Sequence, residues 1–132
     1  MPCKNSKEPR KKVLRLTIRE PWFSMIRDGI KTEEYREDKP YWRSRLIVQR
    51  EDQLPGSYKL LYGGNLIGGV SRNMYQDMRG YDLVEFRNGY RHDSPRVRFK
   101  TPWVRYDFGK PEWGGDPYNI CFVITWGERV PT

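Results

Sequence analysis

Histidine and cysteine are nearly missing from this chain, and their scarcity removes several kinds of chemistry at once. With His92 as its single histidine, the chain has neither a paired-histidine ribonuclease mechanism nor a histidine-rich metal site. The two cysteines, Cys3 and Cys121, fall in a basic tail and an apolar run, a pattern that argues against a structural disulfide and a thiolate metal site. Carboxylates such as Asp77, Asp82, Glu85, Asp93, Asp107 and Asp116 are scattered without a metal-binding spacing, so a two-metal nuclease is unsupported and no metal or cofactor is expected. Long apolar runs are lacking too. No stretch approaches the roughly 20 residues that span a bilayer, and the charged N-terminus has no signal-peptide core, so the expectation is a cytoplasmic protein without a membrane. The glycines at Gly63-Gly64 and Gly68-Gly69 lack the Gly-Lys-Ser/Thr ending of a phosphate loop.

What is present is aromatic and basic. Hydrophobic residues make up only 36% of the chain while aromatics reach 14%, which implies a core built from a few large rings. A length of 132 residues suits one domain with one modest core. The net charge of +8 favours an anionic partner, and half of it lies in residues 1–12, where Lys4, Lys7, Arg10, Lys11 and Lys12 outnumber Glu8 for a net +4. Residues 1–12 therefore read as a disordered basic arm, serving either phosphate contacts or solubility, ahead of a folded domain at 13–132 that is taken as a monomer.

Alternation of Leu14, Leu16 and Ile18 against Arg15, Thr17 and Arg19 marks a strand with one buried face. Pro21 suits a first helical position, and Trp22, Phe23, Met25 and Ile26 form an apolar helical face that Gly29 ends. Pro40 opens a second short helix through Leu46, with Trp42 and Arg45 three apart on one side. Residues 49–57 read as a polar loop, Tyr58 to Tyr62 as a strand, and 71–80 as either a helical face of Met74, Tyr75 and Met78 or a loop. Tyr81 to Arg87 is a strand, Asn88-Gly89 a tight turn, and His92 a surface loop residue. Arg96 to Lys100 points Val97 and Phe99 inward and three cations outward. Trp103 to Phe108 is another strand, residues 109–117 form a loop holding Trp113, and Ile120 to Trp126 is an apolar strand suited to the middle of a barrel. Five to seven strands with two or three short helices make an α+β domain, a small mixed β-barrel.

Chemistry concentrates in Gly29-Ile30-Lys31-Thr32-Glu33-Glu34-Tyr35-Arg36. A two-residue period puts Glu34 and Arg36 on one strand face, with Lys31 at the strand's mouth. They form either a solvated charged face or an anion-recognition set in which Arg36 grips phosphate bidentately, Lys31 adds a point charge and Glu34 orients either cation or accepts from a base. Catalysis requires Lys31 to be desolvated or to stabilise charge developing on a phosphorane or oxyanion. Trp22, Trp42 and Tyr90 are either core rings or stacking surfaces for a base, and Arg43 and Arg45 either solvated or set on phosphates.

The spacing G-x-K-x-x-E-x-R at Gly29, Lys31, Glu34 and Arg36 resembles the signature of the ASCH domain, a PUA-like β-barrel family. Leu14 to Trp22, Asp38 to Trp42 with Arg45-Leu46, Asn88-Gly89-Tyr90, Trp113-Gly114-Gly115 and Phe122 to Glu128 are similar to further elements of short bacterial and phage ASCH proteins. The resemblance spans roughly residues 13–130 and implies a module for single-stranded RNA or a nucleotide. Some relatives are metal-independent ribonucleases using the signature lysine, which implies a catalytic Lys31, with Glu34 beside it, as the alternative. A subgroup hydrolyses acetylated cytidine with a threonine three residues after that lysine. Glu34 stands there in this chain, and Thr32 comes only one residue after Lys31, which weighs against that activity. A basic surface for an acidic protein partner is a further reading.

Overall fold

The computed structural model describes residues 10–47 and 80–131. The loop at 49–57, the strand at 58–62, the choice at 71–79 and most of the basic arm lie outside those residues. Strand β1 (Val13–Ile18) leads into helix α1 (Trp22–Arg27), strand β2 (Glu34–Arg36) and helix α2 (Pro40–Leu46). Strands β3 (Leu83–Asn88), β4 (Arg96–Lys100) and β5 (Trp103–Phe108) follow, then a 3-10 turn at Pro111–Trp113, β6 (Ile120–Thr125) and β7 (Arg129–Val130).

These strands form two sheets, ordered β1-β3-β4-β7 and β2-β6-β5. In the first, β1 runs parallel to β3, while β3, β4 and β7 are antiparallel neighbours. The second is wholly antiparallel, with the apolar β6 in its middle. Leu14, Leu16, Phe86 and Phe99 from one sheet share a core with Val104, Tyr106, Phe122 and Ile124 from the other, and Phe23 and Ile26 of α1 join it. Large rings fill it as the composition implies: Phe86 lies edge-on to Trp126 at 4.7 Å, and Tyr106 against Phe122 at 4.7 Å.

The α+β class holds, whereas the expected closed barrel is corrected, because among the described residues no ladder joins the two sheets. At the gap between β1 and β2 the link is a side chain. Arg36 Nη2 donates to the Thr17 carbonyl at 3.1 Å, so a guanidinium occupies the place where a ladder would close the wall.

Both short helices form beside their punctuation, although Pro21 is the N-cap of α1, one residue before its first helical position. Gly29 takes φ +80°, the Gly29 amide donates to the Ile26 carbonyl and the Ile30 amide to that of Met25, a paired C-terminal cap that turns the chain sharply after α1. Pro40 occupies the first turn of α2. The Asn88-Gly89 turn is wider than expected. Gly89 has φ +100°, but the strands resume pairing only at Arg87 and Arg96, and the Asn88 amide closes the connection onto the Pro95 carbonyl at 2.9 Å.

The outward face of β4 is less free than its alternation suggests. Glu85, Arg15 and Arg98 share one register row across β3, β1 and β4. Glu85 is only 2% exposed, and Arg98 Nη2 lies 2.8 Å from it and Arg15 Nε 3.6 Å, so two cations serve one buried carboxylate. Arg96 donates to the His92 carbonyl at 2.9 Å. Arg105 is similarly engaged, by Glu33 at 2.8 Å and Asp107 at 3.2 Å.

Candidate functional site

The turn after α1 delivers Lys31 into the interior. Its side chain is 0% exposed, its Nζ lies 3.1 Å from Glu34 Oε1 and donates to the Trp113 carbonyl at 2.8 Å. The same ammonium faces the Tyr35 ring at 4.6 Å and the Trp22 ring at 5.5 Å. Burial lowers the Lys31 pKa, and the charge and hydrogen bond of Glu34 oppose that shift. The solvated-face reading of this stretch is thereby corrected for Lys31 and Glu34.

Glu34 is shared between two cations. Its Oε1 faces Lys31 and its Oε2 accepts from Arg36 Nη1 at 2.6 Å, which bears out the pairing expected from the two-residue period. With each oxygen engaged by a cation, Glu34 positions Lys31 and Arg36. Both Nη atoms of Arg36 are held, Nη1 by Glu34 and Nη2 by the Thr17 carbonyl, and its guanidinium lies over Trp42 at 5.0 Å. Its buried Nε has no hydrogen-bond partner among the described residues.

These residues border a cleft of about 260 Å³ between the end of β1, β2 and the loop carrying Trp113. Its lining includes Thr17, Arg19, Trp22, Glu34, Arg36 and Trp113. Lys31 is not part of that lining. The cleft is smaller than the roughly 300–1,000 Å³ typical of drug-sized ligands, which suits one base better than a stacked run. Trp22 is half-buried at its edge. Gly114, which follows the 3-10 turn, has φ +83°, and a Cβ there would lie 2.9 Å from Trp22 Cζ2, so only glycine lets this loop reach the indole.

Not every residue singled out in the sequence converges here. Trp22, Glu34 and Arg36 line the cleft, Lys31 lies behind it, and Trp42 backs Arg36 while packing on the core. Arg45, expected beside Trp42, has its guanidinium over Tyr41 at 4.5 Å, while Arg36 lies over Trp42 at 5.0 Å. Arg43 forms a fork on Asp38, with bonds of 2.6 and 3.1 Å. Tyr90 is 87% exposed in the β3–β4 connection and is not part of the cleft lining.

Three participants were missed in the sequence. Trp113 supplies the carbonyl on Lys31, Thr17 supplies the carbonyl on Arg36, and Tyr35 lies beneath the ammonium. The carbonyl roles leave no trace in side-chain identity. Tyr35 was signalled by its position inside the charged stretch, and burial holds its phenol well above the ordinary range while the hydroxyl donates to Glu33 Oε1 at 2.9 Å. Burial also pushes the Cys121 thiol up to about 11, so it remains an unreactive thiol at neutral pH. Among the described residues, no group of three or more His, Cys, Asp or Glu side chains has metal-binding placement, and no helix is long and apolar enough to cross a membrane.

The family described as the ASCH domain matches residues 16–97, more than half of the 132-residue chain. No curated protein and no solved structure matches it.

Proposed function

From membership of the ASCH domain family, to which this chain belongs, we propose a module that takes one unpaired base or a nucleotide of single-stranded RNA into the cleft over Arg36. The family supports a general RNA-binding role; the cleft supplies the finer reading. The observation that carries it is the meeting of Arg36 with Trp22 and Trp113 at one opening of single-base size. Arg36 has its Nη atoms positioned by Glu34 and Thr17, which spares a ligand the cost of ordering it. Trp22 offers a ring for stacking, and stacking on an aromatic contributes roughly 1–3 kcal/mol per base.

The two-sheet domain reads as PUA-like, preceded by a basic arm at residues 1–12, acting in the cytoplasm as a monomer without metal, in the manner of short bacterial and phage relatives. The position of Lys31 favours binding over cleavage. To touch a scissile phosphate, Nζ would have to leave Glu34 and the Trp113 carbonyl and pass the cleft wall.

The test is binding of labelled single-stranded RNA across a salt series in excess chelator, with Arg36→Lys and Trp22→Ala beside the wild type. This reading expects salt-sensitive binding, weakened in both variants, with the RNA intact. Salt-independent binding, or indifference to both changes, contradicts it. Cleavage that survives the chelator and vanishes in a Lys31→Ala variant that still melts cooperatively would establish the ribonuclease alternative.

A further inference from the structure

A second concave surface lies at the other end of β1. The cleft meets the C-terminal residues Thr17 and Ile18, whereas a groove of about 870 Å³ runs past Arg10, Lys11 and Lys12, just before the strand begins. Six strand residues rising about 3.3 Å each separate the two by roughly 20 Å. Lys100, Thr101 and Asp82 form the groove's other side.

Its charge is one-sided. Among the described residues that line it, Arg10, Lys11, Lys12 and Lys100 face a single carboxylate, Asp82, and all four cations are exposed. Asp82 already accepts the Lys12 backbone amide at 2.8 Å. Lys100 has a loose neighbour in Glu128, at 3.8 Å and 86% exposed, a pair of the kind that contributes little in water. The contrast with the rest of the fold is direct: Arg43, Arg98 and Arg105 are held at short distance by Asp38, Glu85 and Glu33.

The floor beneath these cations is tied together. The Asp82 amide donates to the Lys12 carbonyl at 2.8 Å, the Thr101 amide to the Asp82 carbonyl at 3.2 Å, and the Lys100 amide to the Glu128 carbonyl at 2.8 Å. Thr101 holds φ +46°, a left-handed conformation that a β-branched residue adopts only where its surroundings enforce it. The backbone that carries Lys12 and Lys100 is therefore tied in place, while their side chains are exposed to water.

Resting on the RNA reading of the cleft, we infer that this groove binds phosphates of the same strand whose base enters the cleft, so that full affinity needs an oligomer spanning about 20 Å. A lone nucleotide reaches one site and gains nothing from the other.

The test compares a mononucleotide with an RNA oligomer of about 12 nucleotides, within the roughly 4–16 covered by small single-strand-binding folds. The protein is the full chain and a triple variant, Arg10→Gln, Lys11→Gln and Lys100→Gln, whose thermal melting is checked first. Each lost phosphate contact lowers the salt slope by about 0.7, so the oligomer's slope falls by as much as ~2 while mononucleotide binding stays unchanged. An unchanged oligomer slope, or equal loss for both ligands, overturns the inference. Titration with tripolyphosphate, followed through the amide signals of Leu83 and Thr101, judges the groove without RNA. Shifts in the wild type that vanish in the variant support it, and their absence overturns it. If no RNA binds while these shifts appear, the cleft reading has failed and the anion groove stands alone.

Discussion

Lys31 Nζ and Glu34 Oε1 lie 3.1 Å apart, with the lysine side chain wholly withdrawn from water and the carboxylate 9% exposed. Removing one member of a buried pair leaves the other charge without compensation, typically at about 3–5 kcal/mol, whereas removing both is much less damaging. Glu34→Gln is accordingly expected to destabilise the fold by about that amount, and Lys31→Met in the same chain to restore the share due to the buried ammonium, leaving the share due to Arg36, the other cation on Glu34. Urea denaturation of the two single variants and the double variant measures the coupling.

The same pair gives stability a pH dependence. Burial sets the folded-state pKa of Lys31 below its ordinary value of 10.5. Below the folded-state value both states are protonated, and the penalty for burying the ammonium is fully present. Between the two values the unfolded chain keeps a proton that the folded chain has released, so this contribution to stability rises with pH. Urea midpoints followed upward from neutral pH are expected to show that rise in the wild type relative to Lys31→Met. A parallel course in the two proteins would remove Lys31 as its source.

Gly114 links the Trp113 loop to Trp22. Its substitution by alanine places a Cβ at φ +83° and 2.9 Å from the indole, a strain of about 1–3 kcal/mol. Thermal melting should record the loss, and RNA affinity should fall with it because the indole must shift. Unaltered melting and affinity would mean that the loop does not set the position of Trp22.

Trp22→Ala and Tyr90→Ala separate two aromatic candidates. Loss of a stacking ring weakens RNA binding by about 1–3 kcal/mol, and this is expected for Trp22. For Tyr90, which is outside the cleft lining, affinity should stay close to that of the wild type. Equal losses in a binding titration would move the RNA path onto the β3–β4 connection.

The contrast between these residues shows what side-chain pattern reveals. Alternation identified β1 and β4, and Pro21 and Gly29 bracketed α1 while Pro40 marked the start of α2, because each signal is local. Glu34 and Arg36 were legible as a pair through the strand period. Lys31 was not legible as an interior group: β2 starts only at Glu34, so the period does not run back to it, and its burial depends on the distant Trp113 loop. The open gap between β1 and β2 was equally hidden, since the Arg36 bond to the Thr17 carbonyl is a tertiary fact with no local spacing. Phosphate contacts were sought at Arg43 and Arg45, but acid and ring neighbours engage those side chains.

The most direct measurement follows the amide signals of the labelled protein as intact single-stranded RNA is added in excess chelator. Base entry into the cleft is expected to shift Trp22, Arg36 and Gly114 together and saturably while the RNA stays whole. Signals that remain still at those three positions while others move, or RNA cut by the wild type and spared by a Lys31→Ala variant that still melts cooperatively, would contradict it.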